Sequence, residues 1–316
     1  MRATLLALLA LLPLLLPSCT RGEPSTSSKP TRAASDATAP APRVSGTAPS
    51  SATSHTKTEP NGGGLRFVHD DFPRALAQAK AENKALFVDA WAQWCHTCLS
   101  MQHYVLNQPA LLPLGERVVF SAIDTERENN AGFLDRHEVS VWPTFFIIDP
   151  ESDRVLGYWP GSGSVYEMRG FIENSLESMD ALRAGKLAPD SPLGLLLSAK
   201  AAQAKGQYAR AADLYQRVVT QAPADFRRRS EALFGWIESL FRLSRAAPCV
   251  DVGLKHLREI AGAARPTDYT HLVFECTKGL PAAQREKPRR ILIERLRELG
   301  ERPSPEMSPD DHADAL

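Results

Sequence analysis

Two cysteines three positions apart, Cys95 and Cys98, stand in the stretch Trp94-Cys95-His96-Thr97-Cys98. At the start of a helix such a pair can close a small disulfide. The helix dipole and its free backbone N–H groups favour thiolate over thiol at the first cysteine, and a thiolate is the nucleophile of disulfide exchange. The same spacing is also half of a zinc site. Zinc normally takes a second Cys or His pair, and the remaining Cys249 and Cys276 lie far along the chain in a region of helical character. A copper or other soft-metal carrier built on the same thiolates would need His96, His103 or His137 to complete its shell. His103 lies eight residues after Cys95, or ~12 Å along a helix axis. Neither a nucleotide nor a flavin loop is visible, because Gly161-Ser162-Gly163 lacks the third glycine and the strand-to-helix setting. The sequence therefore predicts no cofactor other than the cysteine pair itself, and no metal site.

Elements that would position these residues follow from the apolar pattern. A proline followed by good helix formers predicts a helix over 73–83, and ALFVDA a short buried strand over 85–90. A helix after Trp94, a strand at 118–123, a helix at 130–137, strands at 144–148 and 154–158 and a helix at 164–180 complete the stretch. Helices and strands alternate first, then two strands follow each other, which predicts a mixed sheet flanked by helices.

Residues 65–180 resemble the thioredoxin superfamily in several places at once. Phe87-Val88-Asp89-Ala90-Trp91-Ala92-Gln93-Trp94-Cys95-His96-Thr97-Cys98 is similar to the family's strand, turn and CxxC. Pro143 in Val141-Trp142-Pro143-Thr144 falls 48 residues beyond Cys95, where the family places a cis-proline before a central strand. Residues 158–163 resemble the glycine-containing turn before the last helix. The leading helix and the break at Asn107-Gln108-Pro109 look most like the periplasmic reductase branch that includes the C-terminal domain of DsbD.

The resemblance implies roles. Cys95 would attack, Cys98 would resolve, and Asp89, a carboxylate in an apolar strand, would take the proton from Cys98. Pro143 in cis would face the disulfide, with the Trp142 backbone free to pair with an extended substrate. Trp94 and His96 would complete the substrate-facing rim. Two departures stand out: the strand at 118–124 has no lysine beside the buried carboxylate, and His96-Thr97 is neither Gly-Pro nor Pro-His between the cysteines.

The remaining sequence divides into four parts. Residues 1–18 carry Arg2 and an apolar run too short to span a bilayer, which reads as a secretion signal ending in Leu16-Pro17-Ser18-Cys19. That ending resembles a bacterial lipoprotein box, so Cys19 is the expected lipidation site; Thr20 after it points toward the outer membrane. Residues 19–64 hold Cys19 and a Ser, Thr, Pro and Ala rich stretch expected to be a disordered tether spanning ~35 to 40 Å. Residues 181–300 are Ala, Leu and Arg rich, with helices expected at 229–244, 252–261 and 287–299. Residues 205–215 resemble the second half of a tetratricopeptide repeat, which implies a TPR-like all-α domain; a small helical domain that merely braces its neighbour is the alternative. Residues 301–316 are expected to be a disordered tail.

Lys plus Arg is 37 and Asp plus Glu is 37, so bulk charge excludes a nucleic-acid binder. The zero hides a split: residues 1–64 carry +3, 65–180 carry −8 and 181–316 carry +5. In an exported, oxidising compartment the leftover Cys249 and Cys276 would form a structural disulfide or remain two buried thiols. Taken together, the expected protein is an exported, membrane-tethered thiol–disulfide oxidoreductase of reductase or isomerase type. It would act on protein disulfides, draw on a membrane or periplasmic thiol donor, and offer its helical domain to a protein partner. The alternatives are a soft-metal carrier using the same CxxC, and an interaction lipoprotein whose redox site is vestigial.

Overall fold

The computed structural model describes residues 64–307, 309–313 and 315, all within one compact unit. The expected signal segment, Cys19 and the tether through residue 63 lie outside the described residues. Five strands form one sheet: β1 (Phe67–His69), β2 (Ala85–Trp91), β3 (Val118–Asp124), β4 (Thr144–Asp149) and β5 (Arg154–Pro160), in the order β1-β3-β2-β4-β5. Both β1 and β2 run parallel to β3, while β4 is antiparallel to β2 and β5 to β4. The sheet is therefore mixed, with helices on both faces.

Side chains of β2 alternate between two cores, as the period of a strand requires. Ala85 and Phe87 join Phe120, Phe145 and Ile147 beneath Met168, Phe171 and Ile172 of α4 (Val165–Arg183). Leu86, Val88 and Ala90 join Val119, Ile123, Phe146 and Ile148 beneath Phe72, Ala75 and Ala79 of α1 (Phe72–Ala81). Burial on both faces explains why β2 reads as an apolar run without a polar alternate. Asp89 interrupts it on the Phe87 side. Beyond β2, α2 (His96–Ser100) continues as a π-helical turn, Met101–Val105, and a 3-10 stretch, Pro109–Glu116.

Several boundaries differ from expectation. The helix predicted at 130–137 is a 3-10 turn, Glu128–Asn130, followed by one turn of α3 (Ala131–Leu134). Asn130 instead spends its amide on Asp70 Oδ1 and the Asp124 carbonyl, tying this joint to the ends of β1 and β3. β5 runs on through Pro160, two residues past its expected end, so only 161–163 make the turn. β1 was not predicted, being three residues long.

The helical region comprises α5 (Pro192–Gln203), α6 (Tyr208–Gln221), α7 (Arg229–Arg242), α8 (Ala246–Lys255), α9 (Arg265–Cys276) and α10 (Ala282–Glu301). The predicted helix at 252–261 is displaced: α8 ends at Lys255, and His256 turns its ring to Glu259. α5 escaped the sequence reading because Leu195, Leu196, Leu197, Ala199 and Ala202 are buried around its circumference, leaving no polar face to mark a period. It lies against β5. Leu197 enters the α4-side core and Ala204 the α1-side core, so α5 covers the outer edge of the sheet. The tail expected to be disordered contains α11 (Pro309–Ala313), and Asp311 accepts a hydrogen bond from Ser162 Oγ at 3.0 Å.

Candidate active site

Cys95 caps α2 and Cys98 lies one turn in, because Gln93 and Trp94 turn the chain sharply out of β2. The two sulfurs are bonded to each other, with Cα atoms 5.2 Å apart. The Cys98 amide points at Cys95 Sγ at 3.0 Å, an N–H that would stabilise negative charge on that sulfur once the bond is reduced. Ala92 and the indoles of Trp91 and Trp142 pack around the pair. Cys98 is fully buried while Cys95 retains some exposure, so an approaching disulfide meets Cys95 first.

Asp89 lies on β2 between Ala122 of β3 and Phe145 of β4, and it is 1% exposed. Burial pushes its pKa up to about 7, opposed by a hydrogen bond from the Gln102 side chain. Gln102 Nε2 donates to Asp89 Oδ2 at 3.0 Å, and Oδ1 has no protein partner. Gln102 stands four residues after Cys98, hence on the same face of the helix. The carboxylate therefore sits beneath the CxxC helix. Sequence reasoning missed Gln102. A polar residue one turn past the second cysteine was the available signal, hidden among the ordinary polar residues of a helix.

The opposite wall is the segment leading into β4. The Trp142–Pro143 peptide is cis. The Trp142 ring meets Trp94 at 5.2 Å between centroids, and its Nε1 donates to Thr125 Oγ1 at 2.9 Å. Thr125 in turn hydrogen-bonds the Trp91 carbonyl through both its amide and its hydroxyl, linking the two walls across the end of β3. Trp94 is 57% exposed, and Leu99 and Tyr104 further along are also exposed. His96 is exposed beside Cys95.

His137 is not near a ligand set: it is buried among Phe72, Phe133 and Phe146 with both ring nitrogens unpartnered. Burial, reinforced by Arg136, brings its pKa down to about 4. Among the described residues no three Cys, His, Asp or Glu side chains converge as a metal site would require. Cys249 and Cys276 are joined in a second disulfide between α8 and α9, with Cα atoms 6.1 Å apart and both residues inside the helical core. A cavity of about 490 Å³ opens between β5, α4 and the helical region, lined by Tyr158, Phe171, Lys200, Glu231, Phe234 and Arg265 among others. None of the predicted site residues lines it.

Residues 68–150 match the family model described as thioredoxin-like. Over 85 residues the chain is 32% identical to the thiol:disulfide interchange protein DsbD 2 of Pseudomonas aeruginosa, covering 26% of this chain and 14% of that protein. Over 90 residues it is 27% identical to the thiol:disulfide interchange protein DsbD of Pseudoalteromonas atlantica, covering 28% of this chain and 15% of that one. The chain thus spans only about one-seventh of the length of each of these relatives, and it is the family-model match, over residues 68–150, that covers Cys95, Cys98 and Pro143.

Proposed function

Because the chain carries a thioredoxin-superfamily domain that is DsbD-like, we propose that it is a protein thiol–disulfide oxidoreductase of reductase or isomerase type. The observation that carries this reading is the Cys95–Cys98 disulfide at the head of α2, set above a buried carboxylate whose pKa is about 7. In the reducing direction, the Cys95 thiolate attacks one sulfur of a substrate disulfide. The Cys95–substrate bond forms, the substrate S–S bond breaks, and the substrate's other sulfur leaves as a thiolate. Asp89 takes the proton from Cys98, whose sulfur then attacks Cys95 Sγ; the Cys95–Cys98 bond forms, the Cys95–substrate bond breaks, and the second substrate sulfur leaves as a thiolate. Two electrons have passed to the substrate, and an external thiol donor must restore the dithiol.

Asp89 suits the proton step because a base with a pKa near ambient pH is charged often enough to accept and weak enough to return the proton. The backbone at Trp142 and the exposed surfaces of Trp94 and His96 would form the substrate-facing rim, with the buried cis Pro143 setting the course of the chain behind it. Cys19 as a lipid attachment point would hold the domain on the periplasmic side of a bacterial membrane, the outer one on the evidence of Thr20, and the helical, TPR-like region would receive a protein partner. The carrier reading needs further ligands beside Cys95 and Cys98; His96 is exposed beside Cys95, His137 is buried in the aromatic core, and among the described residues no three such side chains converge. A Cys98→Ser variant tests the mechanism: incubated with a disulfide-bonded protein, it should accumulate a mixed disulfide on Cys95. Adducts on Cys249 or Cys276 alone, or none at all, would remove the basis for the assigned roles.

A further inference from the structure

The helical region touches the redox site at a particular place. The stretch ahead of Pro143 is held by α5, α6 and α7: the Glu138 amide donates to the Ala204 carbonyl at 2.7 Å, Ser140 Oγ and Tyr208 Oη are 3.3 Å apart, and Arg242 Nη2 donates to the Ser140 carbonyl at 3.3 Å. The turn from α5 to α6 comes close enough that a Cβ on Gly206, whose φ is +67°, would lie 3.3 Å from Glu138 Oε2. That glycine lets the turn reach the loop.

A second set of contacts holds the turn behind Pro143. The Gly161 amide donates to the Pro143 carbonyl at 2.8 Å, which couples the turn after β5 to the cis-proline directly. Arg265, at the start of α9, stacks on Trp159 with its guanidinium carbon 3.4 Å from the ring centroid and lies 4.2 Å from the Phe234 ring. Its Nη1 donates to the Pro160 carbonyl at 3.4 Å. Glu167, the capping-box residue of α4, accepts from the Ser164 amide and also from the amides of Ala264 and Arg265. One carboxylate thus joins the end of the turn to the head of α9.

We propose that the helical region is the positioning frame of the substrate-facing loop, with Tyr208 and Arg242 as positioning residues that fix residues 138–143 for pairing with a substrate backbone. This rests on the oxidoreductase reading, which it deepens. Tyr208 and Arg242 touch neither cysteine, so their action must run through Ser140 to Trp142 and Pro143. Chemistry at Cys95 would be left intact, whereas capture of an extended protein substrate would weaken. Small displacements matter in such a site, since a misplacement of about 1 Å can cost ~100-fold in rate.

The test uses the full chain with Arg242→Met and Tyr208→Phe, singly and together, and Arg242→Lys as the conservative control. For a disulfide-bonded protein substrate the double variant should raise KM about 3- to 10-fold with kcat changed less than about twofold. Alkylation of reduced Cys95 and its reaction with a small aromatic disulfide should stay within about twofold, and Arg242→Lys should recover most of the loss. Amide hydrogen exchange, read independently of activity, should quicken at 138–142 and remain unchanged at 85–91 and 96–105. Equal losses with protein and small disulfides, or unchanged exchange at 138–142, would overturn the proposal. If the unaltered protein does not exchange disulfides, the oxidoreductase reading itself falls, and the exchange data still decide whether the helices hold the loop.

Discussion

Around Cys95, Asp89 and Gln102 the hydrogen bonds close within a short stretch of chain: Cys98 to Cys95, three residues apart, and Gln102 to Asp89, 13 apart. Around Pro143 they reach outward, to Ala204, Tyr208 and Arg242 from the loop and to Arg265, 105 residues away, from the end of β5. The wall that would carry the chemistry is a local unit of strand, turn and helix. The wall that would carry recognition depends on a part of the chain with its own core and its own disulfide. Thiolate chemistry needs only a fixed sulfur, a dipole and a base, all of which neighbouring residues can supply. Presenting a loop to a protein substrate needs stiffness that a loop alone lacks.

Perturbing each side separately should expose that division. The largest effect is expected from Cys95→Ser, which should abolish disulfide turnover, a loss beyond about 1,000-fold, while thermal unfolding of the reduced protein changes little. Next, replacing Cys249 and Cys276 together by serine opens a link across 27 positions and should cost ~2 to 4 kcal/mol of stability in denaturant titrations. Alkylation of Cys95 in the folded fraction should be unaffected, because that wall holds itself together.

Asp89→Asn should slow resolution of the mixed disulfide by about 10- to 100-fold near neutral pH, measured in single turnover. The same substitution carries a stability signature of definite sign. In the folded protein Asp89 loses its proton only near pH 7, whereas in the unfolded chain it does so near pH ~4. Between those values the folded form holds the extra proton, so its stability falls as pH rises through the window and is level on either side. At ~1.4 kcal/mol per unit the fall is at most about 4 kcal/mol. The Asn variant should lack this slope, and be the more stable protein above pH 7. The smallest effect is expected from Gln102→Leu: losing a donor to the carboxylate, worth ~1.5 kcal/mol, should move the midpoint of the resolution profile up by about one pH unit.

Legibility in the sequence follows the same division. The strand, the turn and Cys95–Cys98 are written in contiguous residues with strong local signals, and β2, β3, β4 and α4 came out within a few residues of their predicted ends. Asp89 is legible because a carboxylate inside the apolar run ALFVDA falls where a buried strand is expected. Gln102 is not, since its partner is 13 residues away and the geometry of a π-helical turn sets their meeting. The bracing of the loop by Tyr208 and Arg242 was invisible for a stronger reason. It depends on α5, an element buried all round and hence without periodicity, being laid along the edge of the sheet.

The central claim is that Cys95 and Cys98 exchange disulfides rather than hold an ion. The direct measurement is reduction of insulin or a scrambled protein by the purified chain with a dithiol donor, with and without EDTA, alongside the metal content of the reduced protein. Turnover should be unchanged by EDTA, abolished by Cys95→Ser, and proceed without stoichiometric metal. One equivalent of tightly bound copper or zinc together with undetectable disulfide exchange would contradict it.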